Sequence, residues 1–174
     1  MLKSDKKVVR MDRDTLVAAM EMSRTRLLDE LANIEKSGQD VAKVLTWRPG
    51  PGRAHIGWQE MHCAATHERH LKERFLNQPY DEKLVAAFGH GSVPSDSNVP
   101  SIGAIRQLLT EKYIPLKQWV ATQSPEGLAR LVPGPGTTQR SVGETILVMA
   151  WHESHHQGQI HLTWNLYKAA NGIR

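Results

Sequence analysis

The stretch "SVGETILVMAWHESHHQGQIHLTWNLYKAA", Ser141 to Ala170, decides the fold class. It opens on Ser-Val-Gly-Glu, a capping-box pattern in which serine and a glutamate three residues on satisfy the free N–H groups of a helix start. From there to Ala170 nothing breaks the helix, since a single interior glycine, Gly158, is tolerated. A segment this long, with no strand-like alternation anywhere else in the chain, points to an all-α protein.

Working outward, clusters of breakers divide the rest of the chain: "RPGPGR" at 48–53, "GHGSVPSDSNVP" at 89–100 and "VPGPGTTQR" at 132–140. These are turn and loop chemistry. Asp14 to Lys36 places Leu16, Met20, Leu27, Leu31 and Ile34 on one helical stripe, with Asp12 or Asp14 as its cap. A second helix runs from about His55 to Phe75, and Asp81 to Phe88 adds a short one. Ser101 caps a third long segment with Ile102, Ile105, Leu109, Leu116 and Val120 at helical spacing and Pro115 inside it. "SPEG" at 124–127 starts another short helix, with Ser124 as cap and Pro125 at its first position. Four long helices imply an up-and-down four-helix bundle, or a close variant, with short extra helices in the connections. The 174 residues read as a single domain, 1–174, with residues 1–11 as a flexible arm.

Composition narrows the function classes. The formal net charge is +4, but Lys and Arg are interleaved with acids, as in "DEKL" and "HERHLKER", so no nucleic-acid footprint is read. No apolar run is long enough for a membrane span, and the N-terminal stretch lacks the apolar region of a secretory signal. The single cysteine, Cys63, excludes an internal disulfide and an all-cysteine metal site. The expected location is cytoplasmic.

Within the last helix, "HESHH" at 152–156 matches the H-E-x-x-H signature of zinc proteases. Such enzymes need a third ligand. One class takes it from a downstream glutamate, and no Asp or Glu follows Glu153. The other reads H-E-x-x-H-x-x-G-x-x-H, and here Gly158 and His161 each arrive one residue early. The chain is therefore not read as a protease of this type. What survives is His152 and His156 at i, i+4, whose rings can face one ion. His155 lies about 100° from His156 and misses that ion, Glu153 points to the side, and Gln159 returns to the His152 face. A third ligand must come from upstream, where "GWQEMHCAATHERH" offers His62, His67 and His70. His62 follows Trp58 by one turn and faces inward. His67, about 140° away on the wheel, faces outward, and His70 is intermediate. Cys63, about 100° round from His62, is read as a small buried residue.

"WRPGPGRAHIGWQEMHCAATHERHL" followed far downstream by "HESHHQGQI" resembles the DinB-like (DinB/YfiT-like) putative metalloenzymes, four-helix bundles, over most of the chain. The resemblance implies a divalent metal, zinc or alternatively nickel, held by His62 in "WQEMH" with His152 and His156. It also implies a metal-dependent enzyme of the thiol (S-) transferase or hydrolase type, because several members transfer low-molecular-weight thiols. A small-molecule substrate and a homodimer are implied too. A non-catalytic bundle that binds a metal or small ligand is the alternative. Two positions depart from the family's pattern: Gln157 stands where arginine is common, and His67 where an acid is frequent. Trp58, Gln159 and Glu68 are candidates for the pocket or for orienting the ligands, as is Arg24. Trp58 and Trp151 are expected to wall the pocket or pack in the core. His90 and His161 are expected in a loop and on the surface.

Overall fold

The computed structural model describes residues 11–134 and 136–173. The expected arm lies outside the described residues except for Met11, which packs half-buried against the core.

Helix α1 spans Arg13–Lys36 and is capped by Asp12, whose carboxylate accepts from the Thr15 N–H at 2.9 Å. Its anticipated stripe is buried throughout. A six-residue helix, α2 (Val41–Thr46), follows with Asp40 as cap. Nothing in the sequence pattern announced it, because one and a half turns carry no readable period. It is held by burial of Val44 and Leu45. Helix α3 (Ile56–Arg69) begins on a histidine cap: His55 Nδ1 accepts from the Trp58 N–H at 3.0 Å. A π-helical turn, His70–Phe75, continues it. Helix α4 is Glu82–Phe88, α5 is Ile102–Ala121 with Pro115 inside, and α6 is Pro125–Ala129. Two three-residue strands, β1 (Leu131–Pro133) and β2 (Gln139–Ser141), pair antiparallel with Val132 opposite Arg140. They occupy the stretch expected to be loop, and are too short for alternation to show. Helix α7, Val142–Ala170, has both halves of its capping box in place.

The long helices α1, α3, α5 and α7 form the bundle. Ser23 meets Ser154 and Glu30 meets Gln157, so α1 and α7 run parallel. Gln59 meets His156 and His62 meets His152, so α3 opposes α7. Glu35 pairs with Arg106 and Glu21 with Lys117, so α5 opposes α1. The chain order is up, down, down, up: the close variant of an up-and-down bundle, reached because the long α3–α5 connection carries the chain back to a parallel start. α3 touches α5 and α7, and α1 touches the same two, which puts α1 and α3 on one diagonal.

The core falls into two apolar clusters. Leu16, Met20, Leu116, Val120, Ile146 and Met149 anchor one; Leu27, Leu31, Ile34, Ile105, Leu109 and Ile160 anchor the other. Between them lies a belt of buried polar groups: Arg24 from α1, His67 from α3 and Glu153 from α7. Arg24 Nη2 sits 2.6 Å from Glu153 Oε1 and donates to His67 Nδ1 at 3.0 Å. His67 is therefore buried and not outward-facing as its wheel position implied. The wheel assumes one wet face. α3 has none over this stretch, since neighbours on every side bury residues 59–65 as well as His67 and Glu68. No helix of the described residues is long and apolar enough to cross a membrane.

Candidate metal centre

Helix α7 presents His152 and His156 towards α3, one turn apart, and α3 brings His62 between them. One nitrogen from each ring lies within 4.8 Å of the others. The His62 and His152 Nε2 atoms are 3.0 Å apart. Nitrogens on a tetrahedral zinc with bonds of about 2.0–2.1 Å stand roughly 3.3 Å apart, so the spacing fits one ion.

Each ring is oriented by what it touches. His62 Nδ1 donates to the Phe88 carbonyl at 2.6 Å, which leaves Nε2 with its lone pair facing the other histidines. That carbonyl is exposed by the end of α4. Gly89 makes the turn possible, because a Cβ there would lie 2.4 Å from the Val85 carbonyl oxygen. Trp58 stacks on the other side of His62, ring centres 4.7 Å apart and planes within 9°, and donates from Nε1 to Ser92 Oγ at 3.2 Å. Trp58 thus walls the cluster. His156 Nδ1 faces Gln59 Oε1 at 3.4 Å. A metal-binding histidine is usually held this way through its other nitrogen.

Electrostatics favour the ligating form. Burial first, then neighbouring imidazoles, push His152 and His156 down to about 3, and burial lowers His62 too. Near neutral pH all three are uncharged and carry free lone pairs. The Nε2 atoms of His62 and His152 face each other across the place a metal ion would occupy.

The remaining anticipated residues go elsewhere. Gln159 is exposed and its amide meets His155 Nε2 at 2.8 Å, so it does not line the cluster. Glu68 accepts from the Asp81 N–H and pairs with Lys112 at 3.0 Å, tying α4 and α5 to α3. Glu153 points into the bundle, 1% exposed, not to the side. Trp151, expected in the core or pocket, is 61% exposed and stacks on His155. Gln157 donates to Glu30 on α1. Cys63 is buried among apolar residues, and its thiol is pushed well up by burial. His90 and His161 are exposed.

His62 and His152 form part of the wall of a cavity of about 400 Å³ that opens between the π-helical turn, the β-hairpin and the first half of α7. The model of the DinB superfamily matches residues 40–160, which include all three histidines. The chain belongs to the DinB superfamily. Among solved structures it is similar to YfiT from Bacillus subtilis, described as a probable metal-dependent hydrolase with an unusual four-helix bundle topology. The TM-score is 0.67 at 16% identity, covering 99% of this chain and 95% of that one. At that identity the likeness to YfiT is one of fold. No curated protein sequence matches the chain. Membership in the DinB superfamily agrees with the four-helix bundle, and the matched residues include the three histidines that meet between α3 and α7. The sequence singles out Arg24 as a candidate orienting residue and His67 as a candidate ligand, but neither their meeting with Glu153 in the belt nor the arginines of the cavity is legible in it.

Proposed function

We propose that this DinB-superfamily protein is a divalent-metal-dependent enzyme, a hydrolase or a transferase of low-molecular-weight thiols, with His62, His152 and His156 as ligands. The observation that supports it is the convergence of three neutral imidazoles beside an open cavity. Three nitrogen ligands leave room for water or substrate, the pattern of catalytic zinc. The bound metal would supply a hydroxide, or hold a substrate thiol as thiolate, near neutral pH. Zinc is the first choice and nickel the alternative, since imidazoles suit both.

The chain's own groups fill definite roles in this reading. The Phe88 carbonyl and Gln59 hold the rings by Nδ1, and Trp58 fixes the plane of His62. The only cysteine is buried, so a sulfur nucleophile would come from the substrate. We also assign a homodimer and a cytoplasmic location. The outer stripe of α7, with Leu147, Trp151, Leu162 and Leu166 exposed at helical spacing and no charge among them, supports the dimer.

Zinc and nickel titrations of chelator-treated protein test the centre. One ion per chain is expected, with binding severely weakened by His62→Ala and by His156→Ala and retained in His155→Ala. Wild-type protein that binds neither ion, or a His62→Ala variant that binds as tightly as wild type, would overturn the ligand set. A thiol-conjugation and ester-hydrolysis screen of the loaded protein then separates the two reaction classes from the non-catalytic alternative.

A further inference from the structure

The cavity beside the histidines is basic. Its wall carries Arg69, Arg74 and Arg140 together with His62, His90 and His152, and no carboxylate among the described residues. Three segments deliver the arginines: the end of α3, the π-helical turn and β2. The π turn matters here. Residues five apart stand roughly 140° apart on an α-helix, but hydrogen bonds running i→i+5 bring them back towards one side. Arg69 and Arg74 are such a pair, and Arg140 comes from the hairpin opposite.

Glu73 neutralises Arg69, while Arg74 and Arg140 have no ion pair among the described residues. Arg69 donates from Nε to Glu73 at 2.5 Å. Among the described residues Arg74 reaches only the Pro133 carbonyl, at 3.5 Å, the outer limit of a hydrogen bond. Arg140 has no side-chain partner among the described residues. Burial first, then the charge of Arg69, hold the Arg74 guanidinium below its ordinary value; Glu73 opposes this and Arg140 adds to it. Holding the hairpin in place does not require this crowding. Arg130 already ties it to the π turn through the Phe75 carbonyl at 3.1 Å, and the strands pair through their own backbones. Unpaired like charges in a cleft raise the local concentration of anions, and guanidinium forks match carboxylate and phosphate oxygens.

We propose that this cavity binds an anionic small molecule, its carboxylate or phosphate held by Arg74 and Arg140 and its reactive group turned towards His62 and His152. The inference rests on the three-histidine centre being where reaction occurs, and it adds the substrate class. A volume of about 400 Å³ suits a metabolite-sized ligand.

The test is calorimetric titration of full-length, chelator-treated protein with inorganic phosphate and, separately, succinate at low ionic strength. Saturable binding of about one anion per chain is expected. It should weaken about tenfold or more in Arg74→Gln and in Arg140→Gln, as loss of a charge-assisted hydrogen bond implies. Whichever anion binds tighter names the headgroup. Arg140→Gln leaves the strand pairing and the Arg130 tie in place, so it decides the matter even if Arg74→Gln loosens the hairpin. Absence of saturable binding by either anion, or undiminished binding in Arg140→Gln, would overturn the proposal. Zinc titration of the same proteins keeps the two readings apart. Zinc binding without anion binding rejects only the anionic substrate; anion binding without zinc binding rejects only the metal centre.

Discussion

Replacing Arg24 with methionine should be among the most damaging single changes in this protein. The guanidinium side chain is 6% exposed and its partner Glu153 2%. It also donates to His67 and lies over the Tyr113 ring, 4.7 Å from the centroid. Removing one member of a buried pair costs about 3–5 kcal/mol, because the other charge stays behind without compensation. Two features place this case near the lower end. Burial already raises Glu153 to about 7 against the pull of Arg24, so without Arg24 it takes a proton and stops being a charge. Methionine also refills much of the space. About 3 kcal/mol corresponds to a fall of roughly 6–12 °C in unfolding temperature for a domain of this size. Glu153→Gln should be milder: Glu153, raised to about 7 by burial, is already partly protonated near neutral pH, and the isosteric amide keeps an oxygen facing Arg24. Urea unfolding of the metal-free single and double variants gives the coupling, expected at about 1 kcal/mol or more for groups in one network. An Arg24→Met variant within about 1 kcal/mol of wild type, or a double variant additive within about 0.5 kcal/mol, would refute the reasoning.

Burial first, then the charge of Arg74, lowers His70 to about 4, so the unfolded chain binds its proton more readily below about pH 6.5. Stability from this group is complete above that pH and declines to about pH 4. Relative to His70→Gln, wild type should lose about 3 kcal/mol across the window in urea titrations; parallel profiles would contradict it. Sedimentation should give a dimer that Trp151→Glu dissociates; a wild-type monomer at high concentration would reject the α7 interface. His67→Ala should lower the unfolding temperature yet still bind one zinc, and loss of zinc with the fold intact would make His67 a ligand.

The four bundle helices were legible because their stripes and caps are local. Leu16 to Ile34 repeat at helical spacing, and Asp12, Ser101 and Ser141 each cap as their positions suggest. Which helix runs beside which is not local, and the down-down pairing of α3 with α5 had no signature. At the site, the wheel correctly separated His155 from His156, because α7 has one outer face. It failed for His67, and the separate expectation that Trp151 walls the pocket or packs in the core failed too. α3 is enclosed on all sides, and Trp151 falls on the outward side of α7 despite its size. The basic cavity escaped for another reason. "HERHLKER" reads as mixed charge along the chain, but the π turn sorts its arginines to one side and leaves Glu73 paired with Arg69.

The same sorting explains why H-E-x-x-H does not make this a zincin. Adjacent residues on a helix diverge by about 100°. In a bundle each helix packs against two others, so His152 and His156 can face α3 while Glu153 faces α1. That is the observed division: the histidines meet His62, and the glutamate meets Arg24. A general base must reach the water or substrate it deprotonates. Glu153 is 1% exposed, is engaged by a guanidinium at 2.6 Å and does not line the cavity. Its raised pKa, which elsewhere would advertise a catalytic acid, follows from burial in the belt between the two apolar clusters. The glutamate of the motif thus belongs to the scaffold that fixes α7 against α1, and through α7 the positions of His152 and His156.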